Sequence, residues 1–412
     1  MIFDLNDFLR AISQALDFVE EDLFGVPTNH SKRIALIALR ISQQMNMSNE
    51  EVFDIISMSM LHDNGASLNI LHDGLSGSIK EKQSLLESMQ EHCIIGEKNI
   101  NSFPFLTIQA NVIKYHHENY DGSGFFGMKN HEVPMMAQII HLADQLDLNF
   151  DLKAMAGNIL NREDVIAYVK EHKGTHFSPE VAEAFISLTS QVIFWWELTD
   201  EKIDHVLKQG APCFSTEYTY REIREMTKTF SKIIDAKSEF TQLHSSGLAD
   251  KLEKMAVYYQ LNEDNTQQLL IAADLHDLGK LAVSNKILDK PGSLTQEEFA
   301  EVKKHPGVSE ICIHEIKGFE AINRWIYQHH EKLDGSGYPR GLTGEALDFE
   351  SRLLTCMDIY QALREERPYR VAMSHIAVLK VLQDMALNNL VDQQIVNDID
   401  QYCGIDDPLK AD

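Results

Sequence analysis

Cysteine is scarce in this 412-residue chain, which has five thiols, Cys93, Cys213, Cys312, Cys356 and Cys403, and no CxxC pair. That excludes a disulfide framework and leaves buried free thiols in a reducing cytoplasm as the expectation. Long apolar runs are missing as well. The tract Val192 to Trp196 fits a core helix, and nothing approaches the roughly 18 residues of a membrane-spanning helix. Asp4, Asp7 and Arg10 interrupt the apolar residues near the start, so no secretory leader is expected and the chain reads as cytoplasmic. Positive charge is in short supply: 37 Lys and Arg stand against 63 Asp and Glu, a formal net of −26. Such a chain repels polyanions, which argues against polymeric nucleic acid or an anionic membrane as partner. A small phosphate ligand stays open, because bound dications can outweigh the background charge inside one pocket.

Against these absences stands a repetition. His30, His62, Asp63, His92, His116, His117 and Asp144 recur as His244, His276, Asp277, His305, His329, His330 and Asp358. Each member of the second set lies 213 or 214 positions after its partner, as 30 to 244 and 92 to 305 illustrate. A repeat this regular makes two copies of one domain, in a chain long enough for two to three.

Helical periodicity dominates both copies. Ile34, Ile37, Ala38 and Ile41 recur at helical spacing after His30, and Val52, Ile55, Ile56 and Ser59 lead into His62-Asp63. Leu248, Leu252, Met255 and Ala256 follow His244, while Leu269, Leu270 and Ala273 lead into His276-Asp277. Alternating strand patterns are absent, so the fold class is all-α, with strands at most incidental. The expected organisation is a first domain over 1–199, a linker over 200–215 holding Gly210 and Pro212, and a second domain over 216–412. A long amphipathic stretch from Glu217 to Lys237 delivers the chain to His244, and an intramolecular contact between the two domains is expected along it.

The repeated residues are imidazoles and carboxylates, and the most economical reading is a metal site in each copy. Neighbours on a helix differ by about 100° in direction, so His-Asp and His-His pairs serve two ions side by side more readily than one. An Asp carboxylate has two oxygens and can bridge them. Nitrogen and oxygen ligands without cysteine suit two Fe or Mn ions better than a structural zinc, and two ions about 3.5–4 Å apart form a clamp for in-line displacement at phosphorus. The other eight histidines, His72, His131, His141, His172, His176, His205, His314 and His375, fit ordinary core or surface roles.

The second copy reads His276-Asp277-Leu278-Gly279-Lys280, Lys290-Pro291-Gly292, Lys304-His305-Pro306, His329-His330-Glu331, Asp334-Gly335-Ser336-Gly337-Tyr338-Pro339, then Asp358 and Arg367-Pro368-Tyr369-Arg370. In these motifs it resembles the HD-GYP group of the HD phosphohydrolase superfamily, over about 235–370. The resemblance implies two tandem HD-type helical domains and hydrolysis of a cyclic dinucleotide, cyclic di-GMP or 3′3′-cyclic GMP-AMP, to a linear 5′-phosphorylated dinucleotide. It makes His244, His276, His305, His329, His330 and Asp358 terminal metal ligands and Asp277 a bridging and catalytic one. Lys280, Arg367 and Arg370 are implied phosphate contacts, with Lys280 also catalytic, and Tyr338 and Pro339 shape the substrate pocket. The implied chemistry is attack on phosphorus by a hydroxide held between two divalent metals, Fe or Mn. Some members of the group recruit a third metal with a glutamate four residues before the first histidine; here that residue is Phe240, which argues for two.

The first copy is similar over about 30–185 but departs in selected places. It keeps all seven ligands and Asp121-Gly122-Ser123-Gly124, yet Phe125-Phe126 replaces Tyr-Pro and Asn64-Gly65-Ala66 replaces Leu-Gly-Lys. Nothing after Asp144 answers to Arg367 and Arg370. The metal ligands are kept while the phosphate-binding side chains are not, so the first copy is expected to hold up to two further ions and to be regulatory, to act on another small substrate, or to buttress the second. Two rival readings stay open for the chain: an HD-type phosphohydrolase of ordinary nucleotides, which leaves His305, His329 and His330 surplus, and a metal-binding signalling module without turnover.

Overall fold

The computed structural model describes residues 1–24, 29–65, 90–108, 110–237, 244–366 and 371–403. Its chain divides into two compact units, Ile2–Thr216 and Glu217–Asp412, with Met1 joining the second. The first unit contains α1 (Leu5–Phe24), α2 (His30–Gln44), α3 (Asn49–Met60), α4 (Gln90–Asn99), α5 (Met135–Asn149), α6 (Ile159–His172), α7 (Pro179–Thr189), α8 (Val192–Glu197) and α9 (Ile203–Gly210). The second contains α10 (Tyr220–Asp235), α11 (His244–Tyr258), α12 (Glu263–Leu275), α13 (Asn285–Leu288), α14 (Gln296–Val302), α15 (His305–Ile313), α16 (Glu320–Gln328), α17 (Phe349–Arg364), α18 (His375–Leu387) and α19 (Gln393–Cys403). Among the described residues the strands are two-residue segments, Ile2–Phe3 and Thr216–Glu217. The fold is all-α.

Helices begin where the sequence supplies a cap. Ser48 with Glu51 opens α3, Thr219 with Glu222 opens α10, and Thr295 with Glu298 opens α14, each as a reciprocal capping box. In the first unit α2 is the central element and packs on α3 and α5, burying Ile34, Ile37, Ala38 and Ile41 completely. In the second, α12 sits between α10 and α11 and buries Leu269, Leu270 and Ala273. Removing such side chains from water, at about 25 cal/mol per Å² of apolar surface, is what holds the histidine-bearing helix ends in place.

In each unit one aspartate ties down the helix that begins with the first histidine. Asp17 on α1 accepts the Ser31 N–H at 3.1 Å, and Asp235 on α10 accepts the Ser245 N–H at 3.1 Å and its hydroxyl at 2.6 Å. These bonds satisfy N–H groups that a helix start leaves without a partner.

Three expectations need correction. The stretch 200–215 is no open linker: it carries α9, which packs on α2, and Asp204 binds Arg10 at 2.6 Å and Lys32 at 3.0 Å. The amphipathic face of α9 is what fixes it there, with Ile203 and Leu207 buried. Of the Val192 to Trp196 tract only Phe194 and Trp195 enter the core, while Val192, Ile193 and Trp196 are exposed, because a helix this short presents one face inward. Cys93, Cys312 and Cys356 are buried thiols, but Cys213 is exposed beside Ser215.

Candidate metal centre

The second unit brings its seven repeated residues to one place from the ends of four helices and the middle of a fifth. His244 and His305 are the first residues of α11 and α15, His276 and His329 cap the C-terminal ends of α12 and α16, and Asp358 projects from α17. His244, His276, His305 and His329 are at most 3% exposed. The Nδ1 atoms of His276, His305 and His329 each meet the carbonyl three residues earlier, at 2.8, 2.7 and 2.6 Å. A carbonyl only accepts, so each Nδ1 carries the proton and each Nε2 turns a lone pair into the site. Burial pushes His305 down to about 3 and His329 to about 4, which keeps both rings neutral.

Two carboxylates join these rings into adjoining groups. Asp277 Oδ1 lies 3.3 Å from His305 Nε2 and 3.9 Å from His329 Nε2, while its Oδ2 lies 3.2 Å from His276 Nε2. Asp358 Oδ1 lies 3.2 Å from His244 Nε2, and its Oδ2 is 4.0 Å from His330 Nδ1. Asp277, His305, His329 and His330 thus form one group of converging ligand atoms and His244, His276 and Asp358 a second, with atoms within 4.8 Å of one another in each. Donors 3.2–4.0 Å apart have the spacing of ligands that each lie about 2.1 Å from a shared cation. Burial opposes ionisation of Asp277, but its charged surroundings, with the Lys280 ammonium 2.5 Å from Oδ2, outweigh it and hold the carboxyl well below the usual range.

Whether a cation belongs here can be judged from atoms left without hydrogen bonds. His244 Nε2, His276 Nε2 and Asp277 Oδ1 are buried and have no hydrogen-bond partner. Lone pairs withdrawn from water and met by no donor are costly unless a positive charge meets them. The residues fit divalent cations.

Around the groups, Lys280 Nζ stands 2.5 Å from Asp277 Oδ2, and the half-buried Tyr338 ring lies 4.7 Å from that of His330. Pro339 is exposed beside it. Lys280 also edges a cleft of about 730 Å³ lined by Lys290, Thr295 and Phe299, a volume within the range of small-molecule sites. Arg367, Arg370 and Phe240 lie outside the described residues.

The first unit repeats the arrangement. Asp63 Oδ1 lies 3.3 Å from His116 Nε2 and 3.7 Å from His92 Nε2, with Oδ2 3.5 Å from His62 Nε2. Asp144 Oδ1 reaches His30 Nε2 at 3.4 Å, and its Oδ2 lies 3.8 Å from His117 Nδ1. The loop after the paired histidines is also shared: Glu118 accepts the backbone N–H groups of Phe126 and Met128, as Glu331 accepts those of Arg340 and Leu342. From glutamate to first bonded N–H, that loop is one residue longer in the second unit, and the offset between copies returns there from 213 to 214. Phe125 takes the place of Tyr338, its ring 5.6 Å from His117.

Sequence reasoning missed three features. Cys93 enters the first unit's ligand group with His92, His116 and His117. Asp147 and Glu365 bind the Nδ1 atoms of His30 and His244 at 2.7 and 3.0 Å. Gly65 and Gly279 have no room for a Cβ, which would meet the His92 and His305 carbonyl oxygens at 2.1 Å in both cases. Alignment of the copies sets Cys93 opposite Pro306 and the two glycines opposite each other, but it does not show what these residues touch. The carboxylates fall out of register and give no such signal.

Residues 21–181 and 228–395 both match the HD domain family. The chain is 30% identical over 404 residues to 3′3′-cGAMP-specific phosphodiesterase 1 of Vibrio cholerae serotype O1, covering 95% of this chain and 90% of that protein. With 3′3′-cGAMP-specific phosphodiesterase 3 of the same organism it shares 28% identity over 93% of this chain and 91% of the relative. A cyclic di-GMP phosphodiesterase response regulator of Xanthomonas campestris matches 39% of this chain and 43% of its own length at 34% identity. The crystal structure of a cyclic GMP-AMP specific phosphodiesterase of V. cholerae superposes with a TM-score of 0.65 over 98% of this chain and 99% of that one, and at 23% identity it speaks to the fold. Among the described residues no helix is long and apolar enough to cross a membrane.

Proposed function

The chain belongs to the HD domain family, in its HD-GYP group, and from that premise we propose that residues 216–412 hydrolyse a cyclic dinucleotide, with 3′3′-cyclic GMP-AMP the preferred substrate. The observation that carries the activity is the pair of adjoining buried ligand groups that share Asp277 and Asp358. The substrate preference is supported by two relatives that match across both copies, each named as specific for 3′3′-cGAMP.

In this reading His244, His276, His305, His329, His330, Asp277 and Asp358 hold two divalent cations, Fe or Mn. Such a pair supplies activation of water at neutral pH and neutralises charge on the phosphodiester. The protein's own part is positioning. Carbonyl bonds at Nδ1 fix the three histidine rings, and Asp277 presents one oxygen to each ligand group. Lys280 places its ammonium at the mouth of the site, where it meets a non-bridging phosphate oxygen, and Arg367 and Arg370 add further positive charge. The Tyr338 face takes a base or ribose, and the cleft edged by Lys280 and Phe299 accepts part of the dinucleotide. The product is a linear 5′-phosphorylated dinucleotide.

The test is direct. Manganese- or iron-loaded protein is incubated with 3′3′-cyclic GMP-AMP and with cyclic di-GMP, and linear product is followed by chromatography. Faster turnover of the first, lost in His276→Ala and Asp277→Ala, is expected. No product from either substrate, or unchanged turnover in the variants, overturns the proposal.

The first copy is assigned a different part. It retains His30, His62, Asp63, His92, His116, His117 and Asp144, but Phe125 stands at the position of Tyr338 and Ala66 at that of Lys280. We assign it a metal-holding, regulatory role. Replacing His62 and Asp63 with alanine should change turnover by the second copy without loss of helical structure; identical turnover overturns this role.

A further inference from the structure

The two copies differ at the residue after the third histidine. In the second copy it is Pro306, which offers no ligand atom; in the first it is Cys93 on α4, fully buried, with Sγ 3.3 Å from His92 Nε2. The ligand atoms of His92, Cys93, His116 and His117 all lie within 4.8 Å of one another. His116 is fully buried and the His117 side chain is 7% exposed, and the Nε2 atoms of both have no hydrogen-bond partner. The matching group of the second copy is Asp277, His305, His329 and His330; the counterpart of Asp277 here, Asp63, also lies 3.3 Å from His116 Nε2 and 3.7 Å from His92 Nε2, so the sulfur is a donor that the second copy lacks.

We propose that Cys93 is a metal ligand, its thiolate joining His92, His116 and His117 around one cation of the zinc, cobalt or ferrous class. A thiolate added to these imidazoles and Asp63 makes a softer donor set than imidazoles and carboxylates alone, so the first copy selects its metal differently from the second. As the metal–sulfur bond forms, the thiol proton leaves to solvent. The inference rests on the reading that the first copy holds metal, and it adds a sulfur to that site.

The full chain loaded with Co²⁺ tests it. Wild-type protein should show an intense near-ultraviolet thiolate-to-cobalt charge-transfer band. The band should vanish in Cys93→Ser and persist in Cys213→Ser, Cys312→Ser, Cys356→Ser and Cys403→Ser, with far-ultraviolet circular dichroism confirming that each variant folds. X-ray absorption of the zinc-loaded chain should give a sulfur scatterer at about 2.3 Å that Cys93→Ser lacks. Cobalt bound to the first copy, as counted in a His276→Ala/Asp277→Ala background, with no charge-transfer band overturns the thiolate and leaves the metal site standing. No cobalt bound in that background overturns both. A band that survives in Cys93→Ser also overturns the assignment.

Discussion

Glu365 stands behind His244, its Oε2 3.0 Å from the ring's Nδ1, on the side away from Asp358. In the first copy Asp147 occupies this role, 2.7 Å from His30 Nδ1, and is itself gripped by the buried Arg33 at 2.6 Å. Counting 214 positions onward, Arg33 and Asp147 correspond to Gly247 and Gln361. The guanidinium and its carboxylate have been exchanged together: Gln361 Nε2 donates to Glu365 Oε1 at 2.6 Å and Lys251 Nζ donates to Gln361 Oε1 at 2.6 Å. Both copies keep a carboxylate on the first histidine and build it from different residues. A partner of this kind orients the ring and raises its basicity as a ligand. Glu365→Gln should therefore weaken metal binding by the second copy about 10–100-fold, read by competitive chelation, with little change in melting temperature. Equal chelator resistance in variant and wild type would contradict the role.

Gly279 makes its contribution by what it lacks. A Cβ there would lie 2.1 Å from the His305 carbonyl oxygen and 2.9 Å from the Ser309 backbone nitrogen, neither of which can swing aside like a side-chain tip. Gly279→Ala should push α15 away, cost on the order of 1–3 kcal/mol of stability and displace His305 from Asp277. Thermal unfolding and metal counts should fall together, and Gly65→Ala should do the same in the first copy through His92. A variant as stable and as fully metal-loaded as wild type would refute this.

The ligands were legible because chemistry repeats in register. His62, His92, His276 and His305 announce themselves by residue type and spacing, and helical periodicity around them gives the all-α class. Cys93 was hidden because a single thiol in a cysteine-poor chain reads as core filling, and only its distance to His92 reveals an orientation toward the site. Glu365 was hidden because it lies one helical turn beyond Gln361, so no offset links it to Asp147. The helix α9 was hidden because Gly210 and Pro212 are punctuation that suits a linker as well as a helix end. Its salt bridges from Asp204 to Arg10 and Lys32 span some 170 to 190 residues, beyond what periodicity can register.

Lys280 separates binding from turnover. Its ammonium lies 2.5 Å from Asp277 Oδ2 and is a quarter exposed, so it can exchange this contact for a phosphate oxygen without leaving the site. Lys280→Met should retain metal and lower kcat on the order of 100-fold, the loss expected when one electrostatic donor to a developing charge is removed. Lys280→Arg should recover part of it. Loss of bound metal in Lys280→Met, or full activity, would show that the lysine acts otherwise.

Asp235 gives the second unit a pH dependence opposite in sign to ordinary acid unfolding. Burial pushes its carboxyl up to about 6, against the pull of the Ser245 hydrogen bonds. In the unfolded chain it titrates near 3.8, so the folded state holds this proton more tightly. The contribution is therefore most favourable below about pH 4, weakens as pH rises through the folded value near 6, and is flat above it. At roughly 1.4 kcal/mol per unit, the full swing is about 3 kcal/mol at most. Asp235→Asn keeps an oxygen for Ser245 but has no charge to bury, so it should melt close to wild type at pH 4.5 and gain on it steadily toward pH 7. Thermal scans of both proteins across that range decide the matter: a constant difference in melting temperature would mean that Asp235 titrates alike in folded and unfolded chains.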